Sequence, residues 1–310
     1  MNAGEESLPV RISVQICTFN RKELLKRCLL AVFEAEFPAS DCEVVLVDDG
    51  STDGTAEVVK SLVAPCRLKY LYQEKSGLAA GRNLGIRDCD GEVILFIDDD
   101  TIAHPALLSE HWAAHERNPR CVVMGRVNHV DDLDKPPSRR LKPADISTSF
   151  FWTSNASVRK RYLEEAGLFD EEFTEYGWED IEMGFRLRAA GLVRTRNPRA
   201  IVYHYKTRWT ASDLPRLFRQ AQAGGRSAVI LLRKRPCLRV RLATGIFRTR
   251  LALDDLVRLG EPFYYSRVSS KPRDKVLAGL PLFFARLLVS FQYFEAVRAS
   301  LSARGDREVT

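Results

Sequence analysis

The chain contains an apolar run that ends in three acids, Val93-Ile94-Leu95-Phe96-Ile97-Asp98-Asp99-Asp100. A strand that is apolar at every position is typical of the buried centre of a parallel sheet, and open α/β folds bind ligands where such strands end. Alternation along an extended chain points Asp98 and Asp100 to one side and Asp99 to the other. The outer two acids are therefore candidate ligands for one hard cation. A divalent cation at this position favours a diphosphate as the bound ligand. A solvated acidic turn is the alternative interpretation.

This strand closes a regular alternation of strand and helix patterns over the first hundred residues. The order β-α-β-α-β-α-β predicts an α/β fold, a mostly parallel sheet with helices on both faces. A receiver domain or a dehydrogenase would fit the same order. However, neither G-x-G-x-x-G after the first strand nor G-x-x-x-x-G-K-[ST] occurs, so dinucleotide and P-loop interpretations lose their main support. The predicted segments are Val10–Ile16, Arg21–Phe37, Glu43–Val47, Asp53–Val63, Leu68–Tyr72, Ala79–Arg87 and Glu92–Ile97.

The following hundred residues continue with helix and strand patterns around one irregular stretch. Residues 131–143 are charged and proline-rich, which predicts a mobile loop. Such a loop would either close over a substrate or be an inert surface insertion. Helices are predicted at Leu107–Asn118, Lys160–Glu165 and Asp180–Ala190, and strands at Cys121–Val127, Phe150–Val158 and Ala200–Tyr205.

The composition is that of a globular protein whose charge favours an anionic partner. The 310 residues carry a net charge of +6. On charge alone, nucleotide sugars, anionic lipids and nucleic acids are all candidates. Residues 1–9 are polar and acidic and lack the pattern of a secretory signal, so we expect a cytoplasmic protein. The seven cysteines are scattered without a C-x-x-C pair and are expected to be reduced.

A series of short motifs follows the predicted strands and helices in a fixed order. They are Cys17-Thr18-Phe19-Asn20-Arg21, Val47–Thr55, Gly77–Gly85, Asp98-Asp99-Asp100, Asn155, Gly167–Asp170, Trp178-Glu179-Asp180 and His204. Each motif is weak alone, whereas the ordered series from about Ile12 to Trp209 is specific. In this order the motifs resemble those of the family 2 inverting glycosyltransferases, whose GT-A fold binds nucleotide sugars. The resemblance implies a Rossmann-like GT-A domain over residues 1–210, with 211–310 as a helical, basic C-terminal extension.

The resemblance also implies which residues hold the nucleotide of the donor. It places Asp48 at the base or ribose, where a carboxylate accepts hydrogen bonds from both an imide N–H and sugar hydroxyls. Arg82 would counter the diphosphate charge. Arg21 would position the nucleotide, or would be only an exposed residue at a helix start. For Ser51 and Asp53, a turn and a helix cap are the favoured roles. The donor-site candidates are Thr18, Asn20, Arg21, Asp48, Gly77, Arg82, Asp98 and Asp99.

A metal site made of Asp98, Asp100 and His204 is implied as well. Glycosyl transfer leaves negative charge on the departing diphosphate, and a divalent cation stabilises that charge as an electrophile. The cofactor is thus Mn²⁺ or Mg²⁺, and an imidazole ligand favours Mn²⁺ somewhat. Without the resemblance, a histidine between Tyr203 and Tyr205 is more typical of a packed or surface residue.

The acceptor side needs one carboxylate to take the proton of the attacking hydroxyl, because an inverting transfer proceeds without a covalent enzyme intermediate. The family motif assigns this role to Asp180, at the predicted start of a helix whose dipole favours an ionised acid. Asn155, Trp178 and Glu179 are the acceptor-site candidates, with Trp178 as an apolar platform for a sugar face. The alternative is that both acids only cap the helix.

The C-terminal hundred residues lie outside the resemblance. Ser212–Leu232 is predicted to be helical, and the arginines that follow it between apolar residues are typical of contact with a membrane surface or an anionic acceptor. Solvated helix faces are the competing interpretation. Val276–Ala296 is apolar but carries Pro281, Arg286 and Glu295, which favours an in-plane or buried helix over a bilayer span. We expect association with a membrane surface rather than an ordinary helical appendage.

Together these features predict a metal-dependent inverting glycosyltransferase. It would move a sugar from a nucleoside-diphosphate sugar to a hydroxyl of a saccharide or lipid-linked acceptor at the inner face of the cell membrane, in cell-surface polysaccharide or glycolipid assembly. The chain lacks Gln-x-x-Arg-Trp, so addition of one or a few sugars is favoured over polymer synthesis. A nucleic acid is not expected as a partner.

Two other functions compete with this prediction. A sugar-1-phosphate nucleotidylyltransferase would share the α/β layout and the metal, but its glycine-rich triphosphate loop after the first strand is absent. A non-catalytic nucleotide-sugar-binding or assembly subunit would use the same fold. The presence of the three acids and of Asp180 counts against that second alternative.

Overall fold

The computed structural model describes residues 10–133 and 149–303. Eight strands in these two ranges form one sheet. The strands are β1 (Ile12–Thr18), β2 (Cys42–Asp48), β3 (Arg67–Tyr72), β4 (Val93–Ile97), β5 (Thr101–Ala103), β6 (Cys121–Val130), β7 (Asn155–Arg159) and β8 (Val193–Tyr205).

The sheet is mixed, with a parallel half that carries the motifs. Its order is β3-β2-β1-β4-β7-β6-β8-β5. The first four strands in this order are mutually parallel, β7 is antiparallel to β4 and β6, and β8 is parallel to β6. Because the carboxyl ends of parallel strands meet at one edge, Thr18, Asp48 and Ile97 end their strands on the same side of the sheet.

β4 lies in the middle of the sheet, and its position explains why every residue in it is apolar. Val93, Leu95 and Ile97 pack into one core layer, while Ile94 and Phe96 pack into the other. All five are at most 3% exposed. The strand is therefore buried on both faces, as the apolar run predicts.

Six helices of the described chain cover the sheet. Residues of α1 and α4 contribute to one core layer, and residues of α3, α5 and α6 to the other, which places helices on both faces. The alternation predicted for the first hundred residues is confirmed. The helices are α1 (Lys22–Phe33), α2 (Thr55–Lys60), α3 (Leu78–Asp88), α4 (Leu107–Arg117), α5 (Lys160–Glu165) and α6 (Glu179–Ala189).

Several elements differ from the sequence prediction. α2 ends at Lys60 instead of Val63, β6 continues to Val130 instead of Val127, and β5 was not predicted. α1 ends at Phe33 instead of Phe37, the residue before Pro38, at which proline disfavours the helical conformation. β7 starts at Asn155 instead of Phe150. β8 starts at Val193 instead of Ala200, and its ladder with β6 shifts register opposite Met124 and Arg126, close to Pro198, which lacks an N–H for the ladder.

Contacts between Cα atoms divide the chain into two compact units. The sheet unit contains the described residues before Glu175 together with Asp180–Lys206, and the helical unit contains Glu175–Glu179 and the described residues from Thr207. The boundary at 210 therefore stays a prediction. The helical unit contains α7 (Leu214–Lys234), α8 (Leu238–Thr244), α9 (Arg248–Arg258), α10 (Glu261–Ser269) and α11 (Gly279–Ser302).

The helical unit is built around α7 and α11, which approach each other closely at Gly225. A Cβ on this glycine would lie 2.4 Å from the carbonyl oxygen of Tyr293. Among the described helices, α11 alone is long and apolar enough to cross a membrane by length and composition, and 33% of its most apolar window is buried. Most of the charged stretch 131–143 lies outside the described residues.

Candidate active site

Three predicted metal ligands lie together at the carboxyl end of β4. Asp98 and Asp100 follow the strand directly, and β8 brings His204 opposite Thr101 in the short antiparallel ladder with β5. One ligand atom from each of the three side chains lies within 4.8 Å of the others. His204 Nε2 is 2.9 Å from Asp100 Oδ1, and the Ser154 hydroxyl donates to Asp98.

Arg21 and Thr18 hold the other carboxylate oxygens of this cluster. Arg21 Nη1 lies 3.0 Å from Asp99 Oδ1 and 2.9 Å from Asp100 Oδ2. The Thr18 hydroxyl donates to Asp99 Oδ2 over 2.8 Å. Asp99 is 5% exposed, and both of its oxygens are engaged. The middle acid is therefore turned into the protein and braced by the end of β1, while Asp98 and Asp100 stay with His204.

The charges of the cluster shift its pKa values. Burial raises the pKa of Asp99 to about 6, against the opposing charge of Arg21. Burial also acts to raise the pKa of Asp100, but the hydrogen bond and charge of His204 and the charge of Arg21 outweigh it, so that the pKa lies below its usual value. Burial acts to lower the pKa of His204, whereas its contacts with Asp100 raise it above the ordinary value.

The donor set fits a divalent cation. Two carboxylates and one imidazole are the ligand types that Mn²⁺ accepts, and their spacing permits a shared ion. His204 Nδ1 is buried and has no hydrogen-bond partner among the described residues, so one ring nitrogen of the imidazole has no hydrogen bond to that part of the protein. A buried nitrogen of this kind is costly unless it finds a partner, which a solvent molecule or a second ligand group could supply.

Asp48 and Asn20 lie at the ends of β2 and β1, where the nucleotide was expected. Asp48 is 1% exposed and accepts hydrogen bonds from the Ser51 N–H at 2.8 Å and the Tyr70 hydroxyl at 2.6 Å. Asn20 ties the two strand ends together, because its N–H donates to Ser51 Oγ and its Oδ1 accepts from the Thr52 N–H, both at 2.8 Å. The structure thus gives Asn20 a role in fixing the turn that follows Asp48.

Gly77 begins α3 in a conformation that only glycine adopts easily. Its φ is +94°, and a Cβ would lie 2.6 Å from the Thr174 carbonyl oxygen. The Gly77 N–H donates to Asp49 Oδ2 over 3.1 Å, and the same carboxylate accepts from the Ser76 N–H at 2.8 Å. One helical turn further, Arg82 is 6% exposed and donates to Thr153 Oγ1 over 2.8 Å. These contacts fix the loop between β3 and α3.

Asn155 does not lie where an acceptor could contact it. Its side chain is fully buried, and its Nδ2 donates to the carbonyl oxygens of Arg126 and Ala200 at 3.0 Å each. Its Oδ1 lies 2.8 Å from His111 Nε2. The assignment of Asn155 to the acceptor is therefore wrong in this structure: the side chain joins β7 to β6, β8 and α4 inside the core.

His111 and His115 extend this buried polar cluster along α4. His111 Nδ1 and His115 Nε2 lie 2.7 and 2.8 Å from the same Ser157 hydroxyl. Burial lowers the pKa of His111 to about 4 and that of His115 to about 3, because a charged imidazole would lose its hydration there. Both histidines are neutral at physiological pH and act as core residues.

Asp180 lies in the first turn of α6, as predicted. It is 9% exposed, and its Oδ1 accepts from the Ile181 N–H over 2.7 Å. Trp178 precedes it with a φ of +77°, and its Nε1 donates to the Gly224 carbonyl oxygen over 2.9 Å inside the helical unit. Glu179 is 3% exposed. The structure leaves the catalytic role of Asp180 and the acceptor roles of Trp178 and Glu179 as predictions.

Comparison with known proteins decides the family. The sequence model of Glycosyl transferase family 2 matches residues 13–170, which include β1 to β7 and all three acids. The chain belongs to this family. The membership confirms the resemblance drawn from the ordered motifs.

Relatives in this family act on sugars, and some of them assemble polysaccharides. The chain is 34% identical over 222 residues to validoxylamine A glucosyltransferase of Streptomyces hygroscopicus subsp. jinggangensis, which covers 59% of this chain and 53% of the relative. It is 28% identical over 241 residues to chondroitin synthase of Escherichia coli, covering 62% of this chain and 34% of the synthase. The chain spans about half the length of the Streptomyces relative.

Solved structures with the same fold are GT-A glycosyltransferases. S. aureus TarS 1–349 aligns with a TM-score of 0.55 at 18% identity, over 96% of this chain and 92% of TarS. The mannosyltransferase PcManGT from Pyrobaculum calidifontis, solved with GDP-Man and Mn²⁺, aligns with a TM-score of 0.53 at 18% identity, over 97% and 78% of the two chains. This member of family 2 therefore has a GT-A fold.

Some residues of the site were not found from the sequence. Ser154, Thr153 and Tyr70 contact Asp98, Arg82 and Asp48, respectively, in the contacts described above. None of the three belongs to a motif, and hydroxyl residues occur at many surface positions. The sequence prediction began β7 at Phe150, and in such a strand the neighbours Thr153 and Ser154 would point to opposite faces of the sheet. Because the chain before β7 is irregular, both residues reach the site, where they contact Arg82 and Asp98.

Proposed function

We propose that this family 2 glycosyltransferase transfers a sugar, with inversion, from a nucleoside-diphosphate sugar to a hydroxyl of a saccharide or lipid-linked acceptor. The observation that carries the proposal is the cluster of Asp98, Asp100 and His204 at the edge where β1, β2 and β4 end. A nucleoside-diphosphate donor needs a cation site for its diphosphate and polar residues beside it for its nucleoside. The carboxyl ends of β1, β2 and β4 provide both kinds of residue at one edge of the sheet.

The donor half of the reaction would use the contacts around this edge. Asp98, Asp100 and His204 would hold Mn²⁺ or Mg²⁺, which when bound would neutralise charge on the departing diphosphate. Arg21 keeps Asp99 and Asp100 close together despite their like charges. Asp48, fixed by Ser51 and Tyr70, would accept a hydrogen bond from the nucleoside.

The acceptor half would depend on Asp180. A carboxylate at the start of α6 is stabilised in its ionised form by the helix dipole. It would take the proton from the attacking hydroxyl as the new bond forms at the anomeric carbon and the bond to the diphosphate breaks on the opposite side. Trp178 and Glu179, the two residues before it, would contact the acceptor sugar.

The helical unit supports a location at a membrane surface in the same proposal. Leu238 and Leu242 on α8 are 70% and 63% exposed, and Arg239 and Arg241 lie between them in sequence. Exposed leucines next to arginines are typical of helices that lie on an anionic bilayer.

Thermal unfolding with nucleotides tests the donor site first. UDP, dTDP, GDP, CDP and ADP are each added with and without Mn²⁺, and one of them should raise the melting temperature only when Mn²⁺ is present. That nucleotide then defines the donor series for transfer assays. Stabilisation by none of the five, with or without the metal, would contradict the proposal and favour a non-catalytic subunit.

A further inference from the structure

The helical unit contains a cavity that the transfer reaction does not use. It is widely open to solvent, has a volume of about 580 Å³, and lies among α7, α8, α9 and α11. This volume is within the range of small-molecule sites in proteins, roughly 300 to 1,000 Å³. The lining residues relevant to a ligand are Trp209, Arg250, Arg286, Ser290, Tyr293 and Phe294.

Two arginines give the cavity a positive charge. Neither Arg250 nor Arg286 has an acidic partner among the residues that the structure describes, although both line the same cavity. The acids of α9 and α11 pair elsewhere: Asp254 and Asp255 contact Arg298, and Glu295 contacts Arg258. Two uncompensated guanidinium groups at one cavity favour an anion, and a phosphate matches their fork of donors best.

The rest of the wall is apolar and aromatic. Arg250 lies over the ring of Phe294, with its Cζ 5.2 Å from the ring centroid, so this guanidinium is held in place by stacking. Trp209 and Tyr293 line the same space, and Leu242 lines it while being 63% exposed. A free phosphate ion would leave these surfaces unused. An apolar chain attached to the phosphate would cover them.

We propose that this cavity binds the phosphate head of a lipid. Arg250 and Arg286, with the Ser290 hydroxyl, would hold the phosphate, and Trp209, Tyr293 and Phe294 would contact the first part of the chain. The inference rests on the lipid-linked acceptor and membrane surface of the proposed function, but its site belongs to the helical unit, so its failure would leave the Mn²⁺-dependent nucleotide test unaffected. The lipid would be either a membrane phospholipid or an isoprenoid phosphate, which share this chemistry.

Calorimetric titration of the full chain with soluble probes tests the site. Farnesyl phosphate represents an isoprenoid phosphate and dihexanoyl phosphatidic acid a phospholipid, while farnesol and inorganic phosphate each lack one half of the ligand. At least one phosphate-bearing lipid should bind more than about tenfold more tightly than farnesol or inorganic phosphate. The lipid that binds more tightly shows whether the site prefers an isoprenoid phosphate or a membrane phospholipid.

Arginine variants locate the binding. Arg286→Ala should weaken the preferred lipid by about tenfold, and Arg250→Ala with Arg286→Ala by about 100-fold, since each removes a charged hydrogen-bond donor to the phosphate. Arg250→Lys with Arg286→Lys keeps the charge but not the fork of donors, and should therefore recover only part of this loss. Because Arg286 is exposed, its single variant should fold even where the double variant does not.

The matched control is Arg248→Ala with Arg267→Ala, which removes two exposed arginines of the same unit from outside the cavity lining. This control should bind the lipid as the unchanged protein does. Equal weakening in the control would mean general charge attraction and would overturn the proposal. Absence of lipid binding, or equal affinity for farnesol and farnesyl phosphate, would overturn it as well.

Discussion

Arg21 and Asp100 form an ion pair in which Nη1 lies 2.9 Å from Oδ2, and the other oxygen of the same carboxylate lies 2.9 Å from His204 Nε2. The carboxylate is thus held between a guanidinium and an imidazole of the protein. Its geometry is set before any ligand arrives, since Arg21 precedes α1 and His204 belongs to β8. Asp100 is therefore the residue at which a loss of charge should act most directly on the donor site.

Asp100→Ala is expected to weaken Mn²⁺-dependent nucleotide binding by at least about tenfold, because one of three anionic or imidazole ligands is removed. Calorimetric titration of the responding nucleotide, with and without Mn²⁺, measures the change. Glu165→Gln is the matched control, since this acid is exposed on α5 and should leave binding unaltered. An unchanged Mn²⁺-dependent affinity in Asp100→Ala would remove Asp100 from the proposed metal site.

Asp180→Asn should retain donor binding but lose about 10²- to 10⁴-fold in turnover, because only proton transfer from the acceptor is affected. Turnover is followed as nucleoside diphosphate released from its sugar nucleotide in the presence of a mixture of saccharide acceptors. Donor affinity is measured separately by calorimetry. If donor affinity fell as much as turnover, the assignment of Asp180 as the base would fail.

The buried histidines predict a loss of stability in mild acid. His111 and His115 bind protons in the unfolded chain below about pH 6.5, whereas in the folded chain their pKa values are about 4 and about 3. The stability that the two neutral histidines contribute is therefore fully present above about pH 6.5, and it is lost as the pH drops from there towards 4. The raised pKa of Asp99, about 6, acts in the opposite direction and offsets part of this loss.

The net loss that these three groups cause between pH 7 and pH 5 is expected to be about 2 kcal/mol, measured as the free energy of unfolding in urea at the two pH values. His115→Asn should remove most of this pH dependence, relative to its own stability at pH 7, because the remaining histidine is largely offset by Asp99. His104→Asn removes a histidine outside the buried cluster and should leave the slope alone. A slope unaffected by His115→Asn would show that the acid sensitivity arises elsewhere.

Gly77→Ala should destabilise the sheet unit by about 2 to 4 kcal/mol, through its left-handed φ and the contact of the new Cβ with Thr174. Gly54→Ala is the comparison at a milder glycine position. Gly54 has a φ of +90° and a ψ of 20°, in the left-handed helical region, whereas Gly77 has a ψ of 167°, in a region that only glycine adopts easily. A Cβ on Gly54 would meet only the side chains of Lys22 and Glu57, at 3.6 Å or more. Urea unfolding should show the larger loss for Gly77→Ala, and equal losses would mean that neither the backbone conformation of Gly77 nor the contact with Thr174 adds to the cost.

The sequence predicted the parallel half of the sheet well because hydrophobic periodicity is local. β2 and β4 consist mostly of apolar residues, β1 and the first half of β3 alternate apolar with polar residues, and the three acids follow β4. β5 has only three residues and no such pattern, so it was missed. The antiparallel pairing of β7 with β4 depends on contacts between residues about 60 positions apart, which no local pattern contains.

The sequence motifs predicted which residues would come together at the site. The prediction failed where burial determines what a residue contacts. Asp98, Asp100 and His204 come together as the motifs imply. Asn155 also belongs to a motif, yet its side chain points into the core, where His111 and two carbonyl groups use its hydrogen-bonding atoms. A motif gives the residue type required at a position, but only the packing around it distinguishes a ligand contact from a structural one.

The position of His204 depends on strand register and not on a local motif. β8 pairs with β5, where Thr101 lies opposite His204, and with β6, where His129 lies opposite His204. These two ladders together set which side chain of β8 meets the acids. A slip of one residue would bring a tyrosine, Tyr203 or Tyr205, to the position of His204. One residue added within β8 just before Tyr203, with the preceding pairing kept, would therefore remove the imidazole from the acids while leaving every sequence motif intact.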